Sequence, residues 1–174
     1  MRDVIEKAKR IRIVIFDLDG VLTDGTLYLT DSGEEIKAFN SRDGHGMRML
    51  KASGVELAII TARESRSVKL RAEDLNITLL YQGEKNKLKI FESLVTKLEL
   101  DMSSCAYVGD DLIDLPVMTR CGLSICVPNA PILVKENVRY VTNSEGGHGA
   151  VREVCEMIML SQGTLDSQLD KYLI

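Results

Sequence analysis

The feature that most constrains the fold is an alternation along the chain. Apolar runs of strand length recur at 11–16 (IRIVIF), 55–60 (VELAII), 77–81 (ITLLY), 105–108 (CAYV), 123–127 (LSICV) and 138–141 (VRYV). Amphipathic, helix-like segments lie between most of them, at 64–75, 86–98 and 112–120. Strands that alternate with helices form βαβ units, and strands that are apolar at nearly every position belong to a parallel sheet covered on both faces. The pattern predicts a three-layer α/β sandwich. In such sheets the crossovers are right-handed and ligands bind beyond the carboxyl ends of the strands. With 174 residues, 45% of them hydrophobic, the chain fits one domain spanning 1–174.

One segment departs from the alternation. Residues 26–40 (TLYLTDSGEEIKAFN) read as two short strands around the turn DSGE, a β-hairpin flap inserted after the first strand and overhanging its carboxyl end. No other insertion is long enough for a cap domain, so the site is either open or closed by a partner subunit. One more helix is expected after Gly149, followed by a tail of mixed polarity, 163–174, for which fraying is the expectation.

Composition removes several function classes. The net charge of −4 comes from 22 basic and 26 acidic residues without a basic tail, which argues against nucleic acid as the main partner. The opening MRDVIEKAKR has no apolar signal region and no run approaches the ~20 residues needed to cross a bilayer, so a soluble, cytoplasmic protein that does not engage membranes is expected. Cys105, Cys121, Cys126 and Cys155 form no CxxC pair and sit among apolar neighbours, which predicts reduced core cysteines.

Chemistry-bearing residues fall where the topology places strand ends: Asp17 and Asp19 after the first strand, Thr61 and Arg63 after the second, Lys87 at the start of a helix, and Asp110, Asp111 and Asp114 after CAYV. Helix capping or turn formation explains single aspartates such as Asp24 or Asp31 well. It explains poorly two acidic clusters that the fold brings together, because nearby carboxylates repel unless a cation separates them. An EF-hand loop beginning at Asp17 fails, since Val21 and Leu22 occupy its fifth and sixth positions.

Metal-assisted phosphoryl transfer accounts for the whole set. Carboxylates that bind Mg2+ allow another carboxylate to attack a phosphate dianion. Asp17 is the candidate nucleophile, with Asp110 opposite it on the metal. Asp19, two residues on, is placed to protonate the leaving oxygen and then to activate water. Gly20 lets the backbone turn away, while the Thr61 hydroxyl and the Lys87 ammonium balance charge on the phosphoryl oxygens. A signalling receiver domain uses similar groups, but its phospho-accepting aspartate ends the third strand, where this chain has Tyr81 and Gln82.

DLDGVLTDG, the threonine of IITAR, Lys87 and GDDLID resemble, in order, the four motifs of the haloacid dehalogenase superfamily of phosphohydrolases. That resemblance implies a Rossmann-like fold and Mg2+ dependence. FNSRDGHGMRML, TARES, YQGEKNKL, YVGDDLIDLPVM and GGHGAVREVCEMIMLSQG extend it over nearly the full length to the capless 3-deoxy-D-manno-octulosonate (KDO) 8-phosphate phosphatase family. The resemblance implies a sugar-phosphate substrate, a role in lipopolysaccharide precursor synthesis and a homotetramer in which hairpins cover neighbouring sites and a tail can reach one. It further implies Mg2+ held by the Asp17 and Asp110 side chains and the Asp19 carbonyl, supported by Asp111 and Asp114. Asn40, Arg42, Asp43, Gly44, His45, Gly46, Arg63 and Arg71, with Asp19 and Lys87, are the implied substrate contacts. Arginines suit a substrate carrying a carboxylate as well as a phosphate. His45 stands where the family often has an aromatic residue. A nine-carbon nonulosonate 9-phosphate is the alternative substrate, since its phosphatases would share these motifs.

Overall fold

A computed structural model describes residues 1–173. Six parallel strands form the central sheet: β1 (Ile13–Phe16), β4 (Glu56–Ile60), β5 (Leu79–Tyr81), β6 (Cys105–Gly109), β7 (Leu123–Cys126) and β8 (Tyr140–Val141), in the order β5-β4-β1-β6-β7-β8. β1 lies between β4 and β6, with Ile15 in register with both Ala58 and Tyr107. Side chains alternate across the sheet, as period two demands. Val14 and Phe16 enter one core with Leu57, Ile59, Ala106 and Val108, while Ile13 and Ile15 enter the other with Ala58, Ile60 and Tyr107.

Helices fill both faces. The first core is closed by α1 (Arg2–Ala8), α2 (Ser41–Ala52), α3 (Arg66–Asp74) and α7 (Ala150–Gln162), through Val4, Met47, Leu50, Val68, Val154 and Ile158 among others. The second is closed by α4 (Lys87–Lys97), α5 (Leu115–Met118) and α6 (Ile132–Glu136), through Phe91, Leu94, Val117 and Val134. The three-layer class expected from the alternation is the fold observed.

Between β1 and α2 the hairpin is real but slight. β2 (Tyr28–Leu29) and β3 (Glu35–Ile36) pair antiparallel through Tyr28 with Ile36 and Leu29 with Glu35. A two-stranded ribbon is marginal in isolation, and Leu27, Tyr28, Leu29 and Ile36 are exposed.

Helices α1, α2 and α6 escape the sequence pattern. α1 is short and mostly charged, burying only Val4 and Ala8. α2 carries Gly44 and Gly46, residues that cost helix stability. A Cβ on Gly46 would stand 2.7 Å from Arg152 Cδ, so the glycine permits the close packing of α2 on α7. The tail expected to fray instead continues as α8 (Leu165–Leu169), whose terminal leucines pack against the first core. Beyond it the Tyr172 hydroxyl lies 3.1 Å from His45 Nε2. Cys105, Cys126 and Cys155 are buried, Cys121 is half-buried, and all four are free thiols. Among the described residues no helix is long and apolar enough to cross a membrane.

Candidate active site

The carboxyl ends of β1, β4 and β6 open onto one cavity of about 210 Å3, lined by Asp17, Asp19, Thr61, Arg63, Lys87, Asp110 and Asp111, with Gly25, Ala62 and Ile113. The Asp17 N–H still bonds to Val108 O at 2.8 Å, so its side chain leaves from the last ladder position of the central strand. The chain then turns at once, with the N–H groups of Val21, Leu22 and Thr23 all directed at Leu18 O. Gly20 makes this possible: its φ is +87°, and a Cβ there would run into the Asp110 carboxylate. The two acidic clusters, far apart in sequence, thus meet across a residue without a side chain.

Lys87 stands beneath them. Its Nζ is 2.7 Å from Asp17 Oδ1 and 2.8 Å from Asp114 Oδ1, and its side chain is almost wholly buried. Asp114 has no capacity left over: Oδ1 also accepts the Tyr107 hydroxyl at 2.7 Å, and Oδ2 accepts the N–H groups of Asp110 and Asp111 at 3.1 and 3.2 Å. Burial pulls the Lys87 pKa down, yet the charges of Asp17 and Asp114 and their hydrogen bonds outweigh it and leave the ammonium above the ordinary lysine value. Tyr107, buried and facing Asp114, titrates well above an ordinary tyrosine.

Asp17 and Asp110 show the opposite imbalance. Burial, followed by the charge of Asp114, pushes Asp17 up to about 6 against the pull of Lys87. Burial, then the charges of Asp17 and Asp114, pushes Asp110 up to about 8. Negative charge here exceeds the positive charge the protein supplies. Asp17, Asp110 and Asp114 each present an oxygen within 4.8 Å of the others. Because Asp114 is already saturated, Asp17 and Asp110 are the carboxylates left to face a cation, and an all-oxygen set suits a hard ion such as Mg2+.

A second ionic group, absent from the sequence expectations, comes from the hairpin. Lys37 Nζ lies 2.5 Å from both Asp19 Oδ1 and Glu35 Oε1, and Glu35 Oε2 accepts from Arg63 Nη2 at 3.1 Å. The signal was an inverted alternation. Glu35 and Lys37 are partly buried, while the apolar Ile36 between them is exposed, so the charged face of the strand points inward. Tyr107 was likewise hidden, as one apolar-looking position of a buried strand.

Asn40, Arg42, Asp43, Gly44, His45, Gly46 and Arg71 stand outside the cavity lining. Asn40 caps α2, accepting from the N–H groups of Arg42 and Asp43, and donates to Gly147 O at 3.1 Å. Asp43 is buried, and its carboxylate accepts the N–H groups of Gly149 and Arg152 at the start of α7. Gly44 is packed under the Arg71 guanidinium, which itself bonds to Asp74 at 2.8 Å and to Asn40 O at 3.2 Å, over the Phe39 ring. Gly46 abuts Arg152 and His45 faces Tyr172, with ring centroids 5.5 Å apart. Arg42 borders a separate groove shared with His148 and Arg152. Asp24 accepts the Thr26 N–H at 2.8 Å in the turn leading to the hairpin, and Asp111 caps the helical turn at Leu112.

This fold, with acidic groups at the ends of β1 and β6, a threonine after β4 and a lysine opening α4, defines a haloacid dehalogenase-like hydrolase, and the family of that description matches residues 76–154. The 3-deoxy-D-manno-octulosonate 8-phosphate phosphatase KdsC of Escherichia coli is 52% identical over 164 residues, covering 94% of this chain and 87% of that protein. A probable YrbI family phosphatase from Pseudomonas syringae superposes with a TM-score of 0.99 at 45% identity, covering 100% of this chain and 99% of the other. The Moraxella catarrhalis 3-deoxy-D-manno-octulosonate 8-phosphate phosphatase, solved with a magnesium ion, a phosphate ion and KDO, gives 0.97 at 42% identity, with 99% of each chain covered. The chain belongs to the 3-deoxy-D-manno-octulosonate 8-phosphate phosphatase family.

Proposed function

We propose that this protein hydrolyses 3-deoxy-D-manno-octulosonate 8-phosphate to KDO and phosphate through an aspartyl-phosphate on Asp17, supplying lipopolysaccharide precursor synthesis. The observation that carries the reading is the convergence of Asp17, Asp19, Thr61, Lys87 and Asp110 on one small cavity. Asp17 and Asp110 by their carboxylates, and Asp19 by its main-chain carbonyl, are the groups that would hold Mg2+, with Asp114 and Asp111 fixing the loop behind them. When bound, Mg2+ neutralises the crowded carboxylates and the phosphoryl oxygens.

An Asp17 carboxylate oxygen attacks phosphorus. The bond from phosphorus to the sugar oxygen breaks, and Asp19 gives its proton to that oxygen. Asp19, now a carboxylate, takes a proton from water. The water oxygen attacks the phosphorus, releasing phosphate and restoring Asp17. Lys87 orients Asp17 and, with the Thr61 hydroxyl, offsets charge developing on the phosphoryl group. Arg63, on the cavity wall, is the arginine best placed to meet the sugar acid.

The exposed apolar residues of the hairpin, Leu27, Tyr28, Leu29 and Ile36, support assembly through this element into the tetramer implied by the resemblance. Cytoplasmic residence belongs to the same proposal. Phosphate release measured across sugar phosphates, with Mg2+ and with chelator, tests the function. The eight-carbon substrate should show the highest kcat/KM and chelator should abolish turnover; preference for a nonulosonate 9-phosphate overturns the substrate, and turnover retained in Asp17→Asn overturns the nucleophile.

A further inference from the structure

The contacts that join the hairpin to the cavity are ionic. Lys37, just past β3, has a side chain only 2% exposed and bridges Asp19 and Glu35. Glu35 also receives Arg63, whose Nε is 3.9 Å from Asp19 Oδ2. Four charges of alternating sign therefore form a ring drawn from three pieces of chain: the loop after β1, the hairpin, and the loop after β4. Fixing a lysine side chain costs rotamer entropy, so a lysine buried here beside the cavity calls for a reason.

The reason lies in what Asp19 has to do. The terminal torsion of an aspartate is broad and roughly two-fold, so an unrestrained carboxyl spreads its oxygens over many directions. A proton donor must be within hydrogen-bond reach of the atom it protonates, and a misplacement of about 1 Å costs on the order of 100-fold in rate.

We propose that Lys37 is a positioning residue for proton transfer: it grips Asp19 Oδ1 from the hairpin so that Oδ2 faces the leaving oxygen, with Glu35 holding the ammonium in place and Arg63 in turn holding Glu35. The inference rests on the reading of Asp19 as the acid. The proton passes from Asp19 to the ester oxygen as the bond to phosphorus breaks. Lys37 keeps its own protons, and its charge faces the carboxylate that remains. Seating of the hairpin and competence of Asp19 then become one event, because lifting the hairpin removes the grip.

The test compares leaving groups in the Mg2+-loaded enzyme. A sugar phosphate leaves as an alkoxide that needs a proton, whereas p-nitrophenyl phosphate leaves as a phenolate that does not. Lys37→Met should lower kcat/KM by about 100-fold on the sugar phosphate and by less than about 3-fold on the aryl phosphate. Lys37→Arg, which restores a cation, should return the sugar phosphate value to within about 10-fold of the unmodified enzyme. Equal losses on both substrates, or no loss on either, overturn the proposal. Asp19→Asn distinguishes the two levels. If it shows no split, Asp19 is not the acid and both readings fall; if it splits and Lys37→Met does not, the Lys37 inference alone fails. Should Lys37→Met not fold, Glu35→Gln carries the test, with the same split at smaller amplitude expected and equal losses overturning the proposal.

Discussion

Tyr107 and Asp114 meet under the cavity floor, hydroxyl to Oδ1 at 2.7 Å, on the same carboxylate oxygen that receives Lys87. Tyr107 comes from the middle of β6 and Asp114 from the helical turn that follows it. The bond therefore folds the acidic loop back onto its own strand and aims Asp110 at Asp17. Tyr107→Phe removes one neutral donor from a buried charge. A loss of about 1.5–3 kcal/mol is expected, read by urea denaturation with Mg2+ present, with a smaller effect on KM than on kcat.

Lys87→Met removes the ammonium that lies between two buried carboxylates. Breaking a buried pair from one side costs about 3–5 kcal/mol, unless the stranded acids take up protons. Expected are a lower denaturation midpoint and a kcat reduced on the order of 100- to 1,000-fold. Adding Mg2+ should recover part of the stability and little of the rate, because the metal neutralises Asp17 without replacing the donor to the phosphoryl oxygen.

The raised carboxyls of Asp17 and Asp110 make a prediction about metal and pH together. Both have folded-state values above the ordinary 3.8, at about 6 and about 8. Between pH 4 and 8 the metal-free native state therefore binds more protons than the unfolded chain, and stability falls as pH rises through that window. Lys87 keeps its proton throughout and does not reverse the sign. Mg2+ stabilises only the deprotonated pair, so its effect on Tm should be small near pH 5 and grow toward pH 8. Thermal melts with and without the ion check this; a metal effect independent of pH would remove Asp17 and Asp110 from the ligand set.

Much of this site was legible before any coordinates, for a physical reason. Asp17, Asp19, Thr61, Lys87 and Asp110 sit immediately beyond strands or at a helix start, where a parallel sheet keeps its ligand, so topology alone carries them to one place. Lys37 and Glu35 were not legible that way. They belong to a ribbon of two-residue strands whose seating depends on the charges it carries inward. α2 was obscured by Gly44 and Gly46, because local propensity opposes what packing against Arg71 and Arg152 requires. The DGHG residues matched a family pattern, but a pattern does not separate a residue that touches substrate from one that holds a helix in place.

Gly20→Ala tests the closeness of the two acidic clusters. The substitution meets a φ of +87° and the Asp110 carboxylate at once. A backbone cost of about 1–3 kcal/mol is expected, together with a displaced Asp110. The Mg2+ concentration giving half-maximal activity should rise at least about tenfold, a change of about 1.4 kcal/mol in binding. Titration of activity with Mg2+ separates this from simple unfolding, which would lower the plateau and leave the midpoint in place.

Asp43 distinguishes positioning from contact most sharply. It lies in the first turn of α2, is nearly fully buried, and accepts the Gly149 and Arg152 N–H groups at 3.3 and 2.8 Å, which would otherwise be orphan donors at the start of α7. Burial raises its pKa, and the two N–H groups offset this only in part. Asp43→Ala should therefore cost about 1–2 kcal/mol, as loss of a helix cap does, and Asp43→Asn should cost less, since an amide oxygen still accepts one bond. Neither should change KM for the sugar phosphate by more than about 2-fold if the carboxylate serves α7 alone. Because the raised pKa lies on the folded side, the unmodified protein becomes less stable as pH rises through the carboxylate range, and Asp43→Asn should flatten that slope. A tenfold rise in KM with stability unchanged would instead place Asp43 against the substrate.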